Sequence, residues 1–130
     1  MRTVLLVDRD PDSLTIYSLI LEHHGYRVLL AQNGEEAFRI AAAQRPDVVV
    51  TELHIPGIEG QTLSEYLKRD SRTAGVPILA VTSFPVSSGR HESGLAVCDG
   101  YLAKPCAPSR LLVEVERLAS TEGPQIIASA

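Results

Sequence analysis

The chain has 130 residues, the length of one ordinary domain, and its 45% hydrophobic and 22% charged residues describe a globular protein rather than a disordered or fibrous one. A net charge of −4 without any basic block argues against unaided binding to nucleic acid or to an anionic membrane. No apolar run approaches a membrane span. The N-terminal run Val4-Leu5-Leu6-Val7 meets Asp8 at once, too early for a secretory signal, so a cytoplasmic protein is expected. Cys98 and Cys106 form no CxxC and read as free thiols of a reducing compartment.

Val4–Val7 is the first expected strand, apolar without alternation, as in a sheet covered on both faces. Asp10 before Pro11 reads as an N-cap followed by a first-turn proline. They open a helix over residues 11–24, with Leu14, Tyr17 and Leu21 at helical spacing, Ile16 and Ile20 beside them, and Gly25 suited to its C-terminus. Val28–Ala31 is the second strand. Asn33 with Glu36 resembles a capping box for a helix over 34–44, with Ala37, Ile40 and Ala41 inward. Val48–Val50 is the third strand, and Leu63, Tyr66 and Leu67 mark a helix over 59–69. Ile78–Val81 is the fourth strand. The following segment, 83–97, holds Pro85, Gly89 and Gly94; each glycine costs a helix interior about 1 kcal/mol, so a short or mobile helix is expected there. Tyr101–Ala103 is the fifth strand. The last helix, 108–119, has the cleanest stripe, made of Leu111, Leu112, Val115, Leu118 and Ala119. Residues 1–120 form one domain and 121–130 a tail expected to fray, with Ile126 and Ile127 able to dock. Strict alternation of strand and helix predicts an α/β fold: a five-stranded parallel sheet in the order 2-1-3-4-5 with five helices on its two faces.

In such a sheet ligands bind beyond the carboxyl ends of the strands, where the strand order reverses. The residues just past those ends are Asp8, Arg9 and Asp10; Glu52; Thr82 and Ser83; and Lys104. Two carboxylates, a hydroxyl and an ammonium, far apart in sequence, are thereby expected at one place.

These residues, with Leu6-Val7-Asp8, Glu52-Leu53-His54-Ile55-Pro56-Gly57-Ile58-Glu59-Gly60, Val81-Thr82-Ser83 and Gly100-Tyr101-Leu102-Ala103-Lys104-Pro105, resemble the receiver domains of two-component response regulators. The resemblance covers residues 2 to about 119. It implies the flavodoxin-like three-layer fold and a mechanism. Two acids after strand one and an aspartate after strand three hold Mg²⁺, and that aspartate accepts a phosphoryl group from a histidine kinase. A threonine and a lysine contact the phosphoryl oxygens, and the change spreads to the fourth helix, fifth strand and fifth helix, where partners bind. It also implies that the Lys104–Pro105 bond is cis. Asp8, Thr82 and Lys104 match this pattern. The phosphoacceptor position holds Glu52, however, and the second acid of the strand-one pair is Arg9.

The two departures have physical consequences. Asp8 and Glu52 are balanced by Arg9 and Lys104 without any metal, and an arginine offers no acceptor to a cation that wants oxygen ligands. Mg²⁺ binding is therefore expected to be lost or weak, and no other cofactor is implied. Glu52 extends its carboxylate by roughly 1.5 Å, one C–C bond, which spoils the positioning on which phosphoryl transfer depends. The longer side chain can reach Lys104 or Thr82, or pair with Arg9 in two-point contact. Two readings stay open: a partial mimic of the phosphorylated state, and a decayed pocket kept as a salt-bridge cluster.

Other residues have rival roles. Asp10 either replaces the missing acid or caps its helix, the second being preferred; His54 either tunes the pocket or is an exposed loop residue. Phe84 either covers the pocket or packs under the weak helix. Tyr101 is a candidate interface residue, grouped with Phe84, Lys104 and Pro105. His23 and His24 read as solvated, and Arg90, His91 and Glu92 as a polar face. The expectation is a non-enzymatic, stand-alone signalling domain that acts through protein contacts: with a histidine kinase, a phosphorelay or output protein, or a second copy through the fourth helix, fifth strand and fifth helix. The alternatives are a conventional receiver that still accepts a phosphoryl group, and a haloacid-dehalogenase-like phosphatase with Asp8 as nucleophile and Asp10 as acid–base. The second lacks a later acidic cluster and a cap.

Overall fold

The structure is a computed structural model, and residues 1–53, 55, 62–82 and 97–120 are described. Five strands, β1 (Thr3–Val7), β2 (Arg27–Ala31), β3 (Val48–Glu52), β4 (Ile78–Thr82) and β5 (Gly100–Ala103), pair in parallel in the order β2-β1-β3-β4-β5. Four helices are described: α1 (Pro11–His23), α2 (Gly34–Gln44), α3 (Leu63–Arg69) and α4 (Pro108–Ala119). Residues 83–96 of the helix segment expected over 83–97 and the tail 121–130 lie outside the described residues, as do His54, Phe84, Arg90, His91 and Glu92. No helix among the described residues is long and apolar enough to cross a membrane.

Alternation along the strands sorts the core into two layers. On one face Val4, Leu6, Val48, Val50, Leu79, Val81 and Leu102 pack against Leu14 and Leu21 of α1 and Leu111, Val115 and Leu118 of α4. On the other, Leu5, Val7, Val49 and Ile78 pack against Ala37 and Ala41 of α2 and Leu63 and Leu67 of α3. The caps are local chemistry. Asp10 accepts from the Asp12 N–H at 3.1 Å and from the Ser13 hydroxyl at 3.1 Å. Asn33 accepts from the Glu36 N–H at 2.8 Å, while the Glu36 carboxylate reaches past the cap to the Gln32 N–H. Gly25 takes φ +92°, a left-handed conformation that ends α1. The Lys104–Pro105 peptide is cis.

Strands β1, β2 and β5 each start one residue before the sequence expectation and α1 ends one residue earlier, and three further boundaries differ with a physical reason. Helix α3 starts at Leu63, not at residue 59, because Thr62 and Glu65 form a reciprocal capping box. Strands β3 and β4 run on through Glu52 and Thr82, so both residues end a strand rather than follow one. Glu52 is held in register opposite Val81, and Thr82 opposite Ala103.

Candidate functional site

The carboxyl edges of β1, β3, β4 and β5 bring Asp8, Arg9, Glu52, Thr82 and Lys104 together, as expected from the topology. Lys104 is fixed by its backbone: its N–H donates to the Thr82 carbonyl at 2.7 Å, which continues the β4–β5 ladder past Ala103. Its ammonium then donates to Asp8 Oδ2 at 2.9 Å. The other oxygen, Asp8 Oδ1, accepts the Asp10 backbone N–H at 2.9 Å, and the Asp8 N–H is bonded to the Ala31 carbonyl. Both carboxylate oxygens of Asp8 are thereby engaged. Glu52 lies between two cations, with Lys104 Nζ 4.0 Å from Oε2 and Arg9 Nη2 3.6 Å from Oε1. The four charges run Arg9, Glu52, Lys104, Asp8 in a continuous chain of alternating sign.

The contacts are unequal. The Lys104 and Asp8 side chains are 19% and 11% exposed and form a hydrogen-bonded pair. Arg9 is 61% exposed and touches Glu52 only at ion-pair distance, so the expected two-point guanidinium contact is not made. Thr82 is buried at the end of β4. Asp10 spends both carboxylate oxygens on the cap of α1 and supplies the site only with its backbone N–H. Tyr101 and Pro105 are exposed beside the site, and Tyr101 lies on the edge strand β5.

One part of the site was not read from sequence. Beneath the charges lies a cavity of about 10 Å³, lined by Asp8, Tyr17, Thr51 and Glu52 and by Leu6, Leu14, Val50 and Val81. It is no larger than a single water. The Tyr17 hydroxyl points to Cys106, with oxygen and Sγ 3.7 Å apart. Burial first, then the Cys106 thiol and the Asp8 carboxylate, push the Tyr17 phenol up to about 12. The signal was present in the sequence: a tyrosine on the core stripe of an amphipathic helix needs a partner for its hydroxyl.

This fold, and the chemistry gathered at one edge of its sheet, define a receiver-type signalling domain. The chain belongs to the response regulator receiver domain family, whose model matches residues 4–116. Among curated relatives it is 30% identical to the protein PilH of Pseudomonas aeruginosa, over 86% of this chain and 93% of PilH. It spans about half the length of other curated relatives that it matches, 54% and 49% in two cases. Among solved structures it is 29% identical to the receiver domain of the sensor histidine kinase PA1611 of Pseudomonas aeruginosa PAO1, which has a magnesium ion coordinated in its active-site cleft. The TM-score is 0.80, with 92% of this chain and 98% of that one covered. It also matches, at 26% identity and a TM-score of 0.76, a chain in the crystal structure of the histidine kinase ThkA in complex with the response regulator protein TrrA. That match covers 92% of this chain and all of the other.

Proposed function

We propose that this chain is an atypical receiver of two-component or phosphorelay signalling, one that works by protein contact without taking up a phosphoryl group. The observation that supports this reading is the charge chain Arg9–Glu52–Lys104–Asp8. Mg²⁺ takes oxygen ligands in near-octahedral geometry. Here one carboxylate is already committed on both oxygens, the other sits between two cations, and the position of a third acid holds a guanidinium with no lone pair to offer. The side chains present do not fit a divalent cation, in contrast to the magnesium-bearing PA1611 domain. A glutamate carries its carboxylate one methylene further out than an aspartate, and pairing with a lysine and an arginine draws on the lone pairs that in-line attack needs.

Without a phosphoryl cycle the ion pairs hold the pocket in one state, and the output is the face beside it, with the exposed Tyr101 and Pro105 on either side of Lys104 in the chain. A protein of the same signalling system, such as a histidine kinase, phosphotransfer protein or output protein, is the partner this reading assigns. No catalysis is assigned to the chain. The test is incubation with acetyl phosphate and Mg²⁺ followed by intact mass. We expect no adduct, whereas a stoichiometric phosphate on Glu52 or Asp8 overturns the reading. Arg9→Asp combined with Glu52→Asp is expected to create Mg²⁺-dependent phosphorylation in the same assay.

A further inference from the structure

We propose that the outer face of α1 is a self-pairing surface, through which two copies of this chain associate with their α1 helices antiparallel about a two-fold axis. The proposal does not depend on the state of the charged pocket.

Helix α1 buries Leu14 and Leu21. At about 100° per residue, Asp12, Ile16, Leu19 and His23 fall within about 60° of one another on the opposite side. All four are exposed, with Ile16 at 53% and Leu19 at 63%. Their spacing of four, three and four residues is that of a coiled-coil seam rather than of scattered surface residues. The stripe is also self-complementary. A two-fold axis crossing the helix between Tyr17 and Ser18 sets Ile16 against the second copy's Leu19 and Asp12 against the second copy's His23. The apolar pair is then central and an acid–imidazole pair closes each end, as an isologous contact requires. Among the described residues neither the Asp12 carboxylate nor the His23 imidazole has a hydrogen-bond or ion-pair partner; His23 makes only an edge contact with the His24 ring. A helix of 13 residues is about 20 Å long. One such helix pair falls short of the roughly 1,200 Å² of a standard stable interface, so the association is of the weak, reversible kind.

Sedimentation velocity on the whole chain, from about 10 µM to about 1 mM, tests this. We expect a monomer–dimer equilibrium with a dissociation constant on the order of 100 µM. Ile16→Glu should raise that constant at least about tenfold. His23→Asp, which sets two acids face to face, should weaken the dimer, and adding Asp12→Lys should restore it. A parallel pairing would place lysine on lysine in that double variant. These positions are exposed and a far-ultraviolet melt checks that each variant folds. A chain that stays monomeric throughout overturns the proposal and leaves the stripe to a helix of a different protein. A dimer indifferent to Ile16→Glu overturns it too, and a double variant as weak as His23→Asp alone overturns the antiparallel arrangement.

Discussion

The Lys104 ammonium sits 2.9 Å from Asp8 in a largely covered position, whereas the Arg9 guanidinium reaches Glu52 from solvent at 3.6 Å. Screening makes the second contact worth about 0–1 kcal/mol, so Arg9→Ala should leave chemical-denaturation stability nearly unchanged. Lys104→Ala strips the charge-assisted partner from a mostly buried carboxylate, and we expect a loss of about 1–3 kcal/mol in the same measurement. Tyr17 gives the alkaline counterpart. Its phenol is pushed up to about 12 from an ordinary 10.0, chiefly by burial and then by Cys106. Between those values the folded state keeps a proton that the unfolded state releases, so stability is intact below about pH 10 and falls as pH rises through about 12. Tyr17→Phe should flatten that alkaline limb in a pH series of urea melts. Legibility at this scale was uneven. The meeting of Asp8, Glu52 and Lys104 follows from topology, but which cation takes which acid does not. Arg9, adjacent to Asp8 in the chain, turns to Glu52, and Lys104 arrives from the edge strand to take Asp8.

Helix α4 shows what periodicity can and cannot deliver among the elements. Its bounds and its inward residues Leu111, Val115 and Leu118 coincide with the stripe read from sequence, because Pro108 marks its start and the apolar spacing runs unbroken. Leu111→Ala, at a fully buried position, should cost about 2–5 kcal/mol in chemical denaturation. Helix α3 starts later than its apolar spacing suggests, because three apolar residues fix a face and not a starting point. The start is set by hydrogen bonds, from Thr62 Oγ1 to the Glu65 N–H and from the Glu65 carboxylate to the Thr62 N–H. Thr62→Ala should lower stability by about 1 kcal/mol through that cap. Strands β3 and β4 outrun their apolar segments for a related reason. An apolar run stops at the first polar residue, while the backbone ladder continues through Thr51 and Glu52, and through Thr82, to the edge where polar side chains are wanted.

For the molecule as a whole, the sheet order and the two-layered core followed from the alternation of elements, since strands without polar alternation can be buried only between two layers of helix. The acids gathered at the sheet edge are paired with cations carried by the chain itself. A counter-ion drawn from solution comes and goes with its concentration. The ammonium of Lys104 and the guanidinium of Arg9 are tethered, and their local concentration is set by the fold. Thermal midpoints measured with EDTA and with millimolar magnesium should therefore coincide, whereas the Arg9→Asp and Glu52→Asp double variant should be stabilised by the metal. On the function proposed above, a domain built in this way is buffered against the ionic weather of its surroundings: swings in free divalent cation leave its surface as it was, and a macromolecule that grips that surface is what alters it.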